Sequence, residues 1–268
     1  MSAAATAEAD TDSGVPSLAV QGTRATIRLN RPRHMNRVQP EDIPVLMRLL
    51  DQVDATPGVR VMVLTGTGRA FSAGYHLGDL SEQAEGGGSE GGVPSFEALT
   101  VRLEACRVPT ICRLNGGVYG GSTDLALACD FRVGRDDIEM FMPAGRLGVH
   151  YYEAGMRRYV SRLGLNAAKR LFLTAERIDA AEMLRIGYLT EAAPAAELDA
   201  RVDALAERIA SLAPLAVQGM KRALDEIARG ELDVAMFEAR AAAAKDSEDL
   251  REGLRAFREK REPVFRGR

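Results

Sequence analysis

Cysteine and histidine are both scarce in this 268-residue chain, at three residues each. Cys106, Cys112 and Cys129 are too few for a disulfide framework and lack zinc-ligand spacing. Cysteines in apolar stretches such as these are expected as buried fillers. His34, His76 and His150 stand far apart, so no metal site is signalled. A reduced, cytoplasmic protein is the default expectation. No run of 18 apolar residues occurs, which excludes a spanning helix. The first residues, MSAAATAEADTDSG, have neither a basic segment nor an apolar one and do not read as a secretory signal. A cationic excess is also missing. Lysine and arginine total 35 against 38 aspartates and glutamates, a net charge of −3, which argues against broad binding of nucleic acid or anionic membrane.

What is present is ordinary globular composition, 46% apolar and 27% charged. A chain this long buries roughly three quarters of its unfolded surface, enough for a core without staples. Residues 1–16 are small, polar and acidic and read as a disordered tail. Leu18–Val20 and Ala25–Leu29 flank Gln21-Gly22-Thr23 as a hairpin. Leu46, Leu49, Leu50 and Val53 recur at helical spacing, predicting a helix from about Glu41 to Val53. Val59–Thr65 is dense in β-branched residues and reads as a buried strand. Residues 82–94 are glycine-rich and acidic, a flexible loop. Ser95 can cap a helix with Phe96, Leu99 and Leu103 on its apolar face. Thr110–Leu114 is a further strand, Thr123–Ala128 is helical and Asp130–Val133 extended. After residue 165 four or five helices follow with almost no strand. One opens at a capping box, Asp179 to Glu182, with Gly187 as its stop, and three carry apolar stripes. Those stripes are Leu198, Val202, Leu205, Ile209 and Leu212; Met220, Leu224 and Ile227; and Leu250, Leu254 and Phe257. The expected division is a tail (1–16), an α/β core (17–200) and a helical C-terminal region (201–268).

Two glycine-rich turns stand out. One holds Gly66, Gly68 and Gly74 after the Val59–Thr65 strand; the other, Asn115 to Asp124, holds Gly116, Gly117, Gly120 and Gly121 between a strand and a helix. Glycine lets a ligand approach the backbone closely, and a helix start offers unpaired N–H groups. Two such turns facing each other would hold one carbonyl oxygen between two N–H donors, an oxyanion hole. Neither turn is a dinucleotide fingerprint or a Walker motif.

The pair Phe71–Leu77 (FSAGYHL) and Asn115–Asp130 (NGGVYGGSTDLALACD) resembles the enoyl-CoA hydratase/isomerase, or crotonase, superfamily. Leu29–Pro32, Leu64–Phe71, Thr174–Glu182, Ser247–Gly253 and Phe257–Phe265 resemble further segments of it, in order, over roughly residues 18–265. The resemblance implies a crotonase-like spiral core of ββα turns followed by a C-terminal helical trimerisation region, and a homo-oligomer, either a trimer or a dimer of trimers. It implies an acyl-CoA thioester as substrate, with coenzyme A part of that substrate and no separate cofactor. The matching oxyanion-hole positions are Tyr75 and Gly121. Ala73, Tyr75, His76 and Leu77 match the segment that lies along coenzyme A, although His76 stands where the family usually has aspartate. Phe257 and Lys260 match positions that reach coenzyme A, in some members from a neighbouring subunit.

The acids depart from the pattern. Hydratases of the superfamily use two glutamates; the first position is Asp124 here, and the second is Ala144, whose methyl group transfers no proton. The altered segment Gly148–Arg158 brings His150, Tyr151, Tyr152 and Glu153 close to where other members place alternative acids and bases. Glu153 is the candidate replacement proton carrier, with an ion pair to Arg157 or Arg158 as the competing reading. His150 and Tyr152 are further candidates. The reaction stays open among hydration, isomerisation, decarboxylation and thioester hydrolysis, and a homologue that binds acyl-CoA without catalysis is the alternative.

Overall fold

The protein was analysed as a computed structural model, which describes residues 14–75 and 94–268. Most of the expected tail and of the glycine-rich loop, and both His76 and Leu77, lie outside the described residues.

Two sheets organise the chain. The larger has six strands in the order β1-β2-β3-β5-β7-β10, and the smaller has β4-β6-β8-β9. β1 (Ser17–Gln21) and β2 (Arg24–Leu29) form the expected antiparallel hairpin, with Ser17 opposite Arg28. From there β3 (Val61–Gly66), β5 (Thr110–Leu114), β7 (Phe131–Arg135) and β10 (Glu191–Ala193) add in parallel. The short strands β4 (Ala70–Ser72), β6 (Gly117–Tyr119) and β8 (Glu139–Phe141) each follow a long one and pair with one another. β9 (Arg177–Asp179) closes that second sheet antiparallel to β8. The unit is therefore strand, short strand, helix, repeated. The sequence reading missed the short strands because three residues show no periodicity.

The ten described helices are α1 (Asp42–Ala55), α2 (Phe96–Glu104), α3 (Ser122–Leu127), α4 (Glu153–Leu163), α5 (Leu165–Thr174), α6 (Ala180–Arg185), α7 (Leu198–Ala210), α8 (Pro214–Arg229), α9 (Val234–Asp246) and α10 (Glu248–Glu259). Ser95 caps α2 as expected, accepting from Ala98 N at 3.1 Å. At α6 only half of the capping box forms. Asp179 Oδ1 accepts from Glu182 N at 2.9 Å, while the Glu182 carboxylate turns to Arg185 and Arg170.

Alternation along the β-branched strands sorts the core into two layers. Met62, Leu64, Cys112 and Leu114 pack with Leu46, Leu50, Leu99 and Leu103 of α1 and α2. Val61, Val63, Ile111 and Val133 face the other way, onto Leu198, Val202, Ala206 and Ile209 of α7. All three cysteines are buried, as expected of fillers. Helix α7 thus belongs to the packing of the six-stranded sheet, and the expected division at 200/201 falls inside it. After residue 165 strand is confined to the three-residue β9 and β10, as expected of a helical C-terminal part.

Beyond α7 the apolar stripes behave differently. Met220, Leu224 and Ile227 of α8 are 58%, 66% and 56% exposed. The docked side of α8 is polar: Lys221 is buried, its ammonium 2.6 Å from Asp130 Oδ1.

Two asparagines tie the turns to the sheet. Buried Asn36, in the left-handed region (φ 52°), donates to Thr67 O and Ala70 O, both at 2.8 Å. Asn115 accepts from Gly66 N at 3.1 Å and donates to Gly68 O at 2.8 Å. Replacing Asn115 with alanine leaves the buried Gly66 N–H without its acceptor, at about 1–3 kcal/mol. Chemical denaturation of Asn115→Ala is expected to show a loss in that range with an unchanged m-value; wild-type stability would contradict this account of the turn.

Candidate active site

Both glycine turns end on the same spot. The first leaves β4 through Ala73 and Gly74, the latter at φ +91°, where a side chain would be strained. A Cβ on Gly74 would sit 2.6 Å from Tyr119 O and 2.8 Å from Gly121 N, so the two turns touch backbone to backbone. The second turn leaves β6 and opens α3, with Gly121 at the N-cap. A Cβ on Gly121 would lie 3.1 Å from the Phe96 ring and 3.5 Å from Tyr75 N. The main-chain nitrogens of Tyr75 and Gly121 are thereby brought to one corner. Buried hydroxyls lock it: Ser122 Oγ bonds Ser72 O at 2.8 Å, and Ser72 Oγ accepts from Gly74 N at 3.1 Å.

A cleft of about 400 Å³ opens at this corner. Ala73, Tyr75, Gly121, Ala144, His150 and Tyr152 all line it, as do Phe96, Glu97 and Tyr151. Phe96, the first residue of α2, packs 5.5 Å from the Tyr75 ring and 6.4 Å from that of Tyr152. Tyr151 and Tyr152 stack with centroids 4.2 Å apart. The wall is largely aromatic, suited to an apolar group.

A family model described as enoyl-CoA hydratase/isomerase matches residues 20–268 of this chain. The chain belongs to the enoyl-CoA hydratase/isomerase family. A carnitinyl-CoA dehydratase of Proteus mirabilis is 33% identical over 267 residues, covering 94% of this chain and 98% of that one. A crotonyl-CoA hydratase of Syntrophomonas wolfei is 31% identical over 244 residues, covering 90% and 94%. The solved enoyl-CoA hydratase of Bacillus anthracis superposes with a TM-score of 0.82 at 29% identity, covering 94% and 99%. The fold is accordingly crotonase-like, with the C-terminal helices present.

In this member of the family the expected acids are elsewhere. Asp124 has no exposed surface. Its carboxylate is held by Arg158 Nη1 at 2.6 and 2.7 Å and accepts the Tyr152 hydroxyl at 2.7 Å. It sits behind Tyr152 and does not line the cleft, which corrects the expectation that it carries protons there. Arg158 also reaches Glu104 Oε1 at 3.0 Å, and Arg162 and Arg229 approach the same carboxylate at 3.4 and 3.5 Å. Burial alone would lower the pKa of Arg158, but Asp124 and Glu104 outweigh it and raise it. Asp124 is thus half of a buried ion pair.

Glu153 is also displaced from the expected role. It opens α4 as an exposed residue outside the cleft. The competing ion pair is absent too: Arg157 pairs with Glu231 and Arg158 with Asp124 and Glu104. His150 lies at the rim, exposed, its Nδ1 2.9 Å from Tyr151 O. Burial, and after it the Asp124 carboxylate, push the phenols of Tyr151 and Tyr152 well above the usual tyrosine range. Both remain protonated at neutral pH. Phe257 is 83% exposed on α10, and Lys260 follows that helix in the left-handed region (φ 53°), far along the chain from the cleft residues.

The carboxylate that does line the cleft is Glu97, which the sequence reading passed over. It occupies the first turn of α2, half-buried, and its Oε1 accepts from Ala154 N at 3.1 Å. Its one signal was position: it follows Phe96 directly behind the Ser95 cap. Arg158 was missed as the owner of Asp124 because 34 residues separate them.

Glu104 gives the network a pH signature. Burial raises its pKa, but Arg158, Arg162 and Arg229 together bring it below the ordinary glutamate value. A depressed folded pKa contributes stability that is present above the unfolded value of about 4.3 and lost as pH falls through the folded one. Glu104→Gln is expected to cost about 3–5 kcal/mol at pH 7, the cost of breaking a buried pair. The gap to wild type is expected to narrow as pH falls below about 4. Denaturation at pH 7 and pH 3 checks this, and a gap that widens on acidification would reverse the sign.

Proposed function

We propose that the protein acts on acyl-CoA thioesters by holding the thioester oxygen between the main-chain N–H groups of Tyr75 and Gly121, so that negative charge builds there as an enolate. The observation that carries this reading is the contact between the two turns, where a Cβ on Gly74 would sit 2.8 Å from Gly121 N and the main-chain nitrogens of Tyr75 and Gly121 come together beside the cleft. Donors fixed in this way act without reorganisation as the charge develops. The cleft takes the acyl group. Ala73, with His76 and Leu77 beyond it and Phe257 and Lys260 on a neighbouring subunit, would meet coenzyme A, which is part of the substrate; no further cofactor is required.

With Ala144 in the cleft and Asp124 bound by Arg158, the two-glutamate addition of water lacks its acids. Proton transfer at the carbon beside the thioester is the chemistry that a hole of this kind serves first. The same two facts favour a second reading, a homologue that binds acyl-CoA and turns none over. A panel of acetyl-, butyryl-, crotonyl- and phenylacetyl-CoA decides between them by turnover and calorimetry. Gly121→Pro removes one donor while matching the observed φ of −56°. Its expected effect is a loss of 10²–10³ in kcat, about 2.7–4 kcal/mol. Glu153→Gln is expected to stay within twofold of wild type. Unimpaired turnover by Gly121→Pro removes the oxyanion reading; binding with no turnover on any thioester supports the second.

The outward stripes of α8 and α10 support a homo-oligomer, a trimer or a dimer of trimers. Leu224, Ile227, Leu254 and Phe257 are exposed large apolar side chains on these two helices, and exposed apolar patches mark interaction sites. Sedimentation at micromolar concentration is expected to give three or six times the 28.9 kDa chain mass, and a monomer would contradict it.

A further inference from the structure

We propose that Glu97 is the proton carrier at the reacting carbon of this cleft; the proposal rests on the oxyanion reading above. Asp124 is closed off by Arg158 and Tyr152, Glu153 faces solvent, and Ala144 carries no proton. Tyr151 and Tyr152 bond each other at 3.1 Å, and Tyr152 is committed to Asp124. His150 stands exposed at the rim with one ring nitrogen against Tyr151 O. Among the described residues lining the cleft, Glu97 is the only carboxylate.

Its placement fits the task. Glu97 and its neighbour Phe96 both line the cleft that Tyr75 and Gly121 line, and the Phe96 ring lies against Gly121. The backbone there is fixed by the Ser95 cap and by Thr100 Oγ1, which donates to Glu97 O at 2.9 Å. One carboxylate oxygen is held by the Ala154 N–H at the start of α4. That hydrogen bond fixes the direction of the carboxylate. The second oxygen, Oε2, has no hydrogen-bond partner among the described residues.

The step balances without a co-reactant. The Glu97 carboxylate takes a proton from the carbon α to the thioester. The C–H electron pair becomes the new C=C bond, and the carbonyl π pair moves onto the thioester oxygen, facing the Tyr75 and Gly121 amides. Reversal restores the thioester as the Glu97 carboxyl returns a proton, to the α carbon or, for an enoyl group, to the γ carbon. In D2O the carboxyl proton exchanges with solvent, so deuterium enters the acyl group.

The test is deuterium uptake into butyryl-CoA and phenylacetyl-CoA by the full-length protein, followed by NMR, with calorimetric binding of the same thioesters. Glu97→Gln keeps an oxygen for the Ala154 N–H but cannot take a proton. It is expected to slow uptake at least 100-fold, the lower end for a general base, with binding within threefold. Glu97→Asp is expected to retain part of the rate. Uptake by Glu97→Gln within threefold of wild type overturns the proposal. Should that variant not fold, Glu97→Ala takes its place, and uptake within threefold of wild type overturns the proposal there too. A wild-type protein that binds these thioesters but incorporates no deuterium overturns the role of Glu97 and leaves the cleft's ligand class standing. Failure of the wild type to bind any of them overturns both.

Discussion

The structure depends on one close approach: the main chain at Gly74 against the main chain at Gly121. A Cβ on Gly74 would sit 2.6 Å from Tyr119 O and 2.8 Å from Gly121 N, and its φ is +91°, so the approach needs glycine there. Everything that delivers a donor to the cleft follows from it. Ser122 and Ser72 fasten the pair by side-chain bonds to backbone, and Asn36 and Asn115 fasten the chain that leads in. These are buried polar groups with hydrogen-bond partners, and a satisfied buried network orders the corner. The helices around it supply the walls, Phe96 from α2 and Tyr151 and Tyr152 from the entry to α4.

A second consequence concerns charge. The interior beside the cleft holds a guanidinium, Arg158, between two carboxylates, Asp124 and Glu104. Such a group is expensive to bury and is stable only with its partners in place. It fixes Asp124 as a structural anion, and the Tyr152 hydroxyl completes its coordination. In this member of the enoyl-CoA hydratase/isomerase family the acid near the hole glycine is therefore bound up in holding α3 to α4, while Glu97 faces the cleft from α2.

How much of this was legible beforehand varies with the length of the signal. The hairpin, α1, β3, β5 and the Ser95 cap were readable because each spans several residues of one period or carries a capping side chain. The three-residue strands β4, β6, β8, β9 and β10 were not, since pairing with distant segments creates them. The apolar stripes of α8 and α10 were read correctly as stripes. That the α8 stripe faces outward goes with the buried pairing of Lys221, on its other side, with Asp130, 91 residues earlier in the chain.

By itself the sequence determined the two glycine turns and the absence of a proton-transferring side chain at Ala144, and its resemblance to the enoyl-CoA hydratase/isomerase family implied the spiral α/β class. These rest on local composition and on the order of motifs, which a linear chain carries in full. Only the tertiary structure decided which carboxylate meets the cleft. Asp124, Glu153 and Glu97 are equivalent acids in the sequence. What separates them is a guanidinium, open solvent and a helix-start N–H, each brought by a segment far away in the chain or by the direction in which a helix begins.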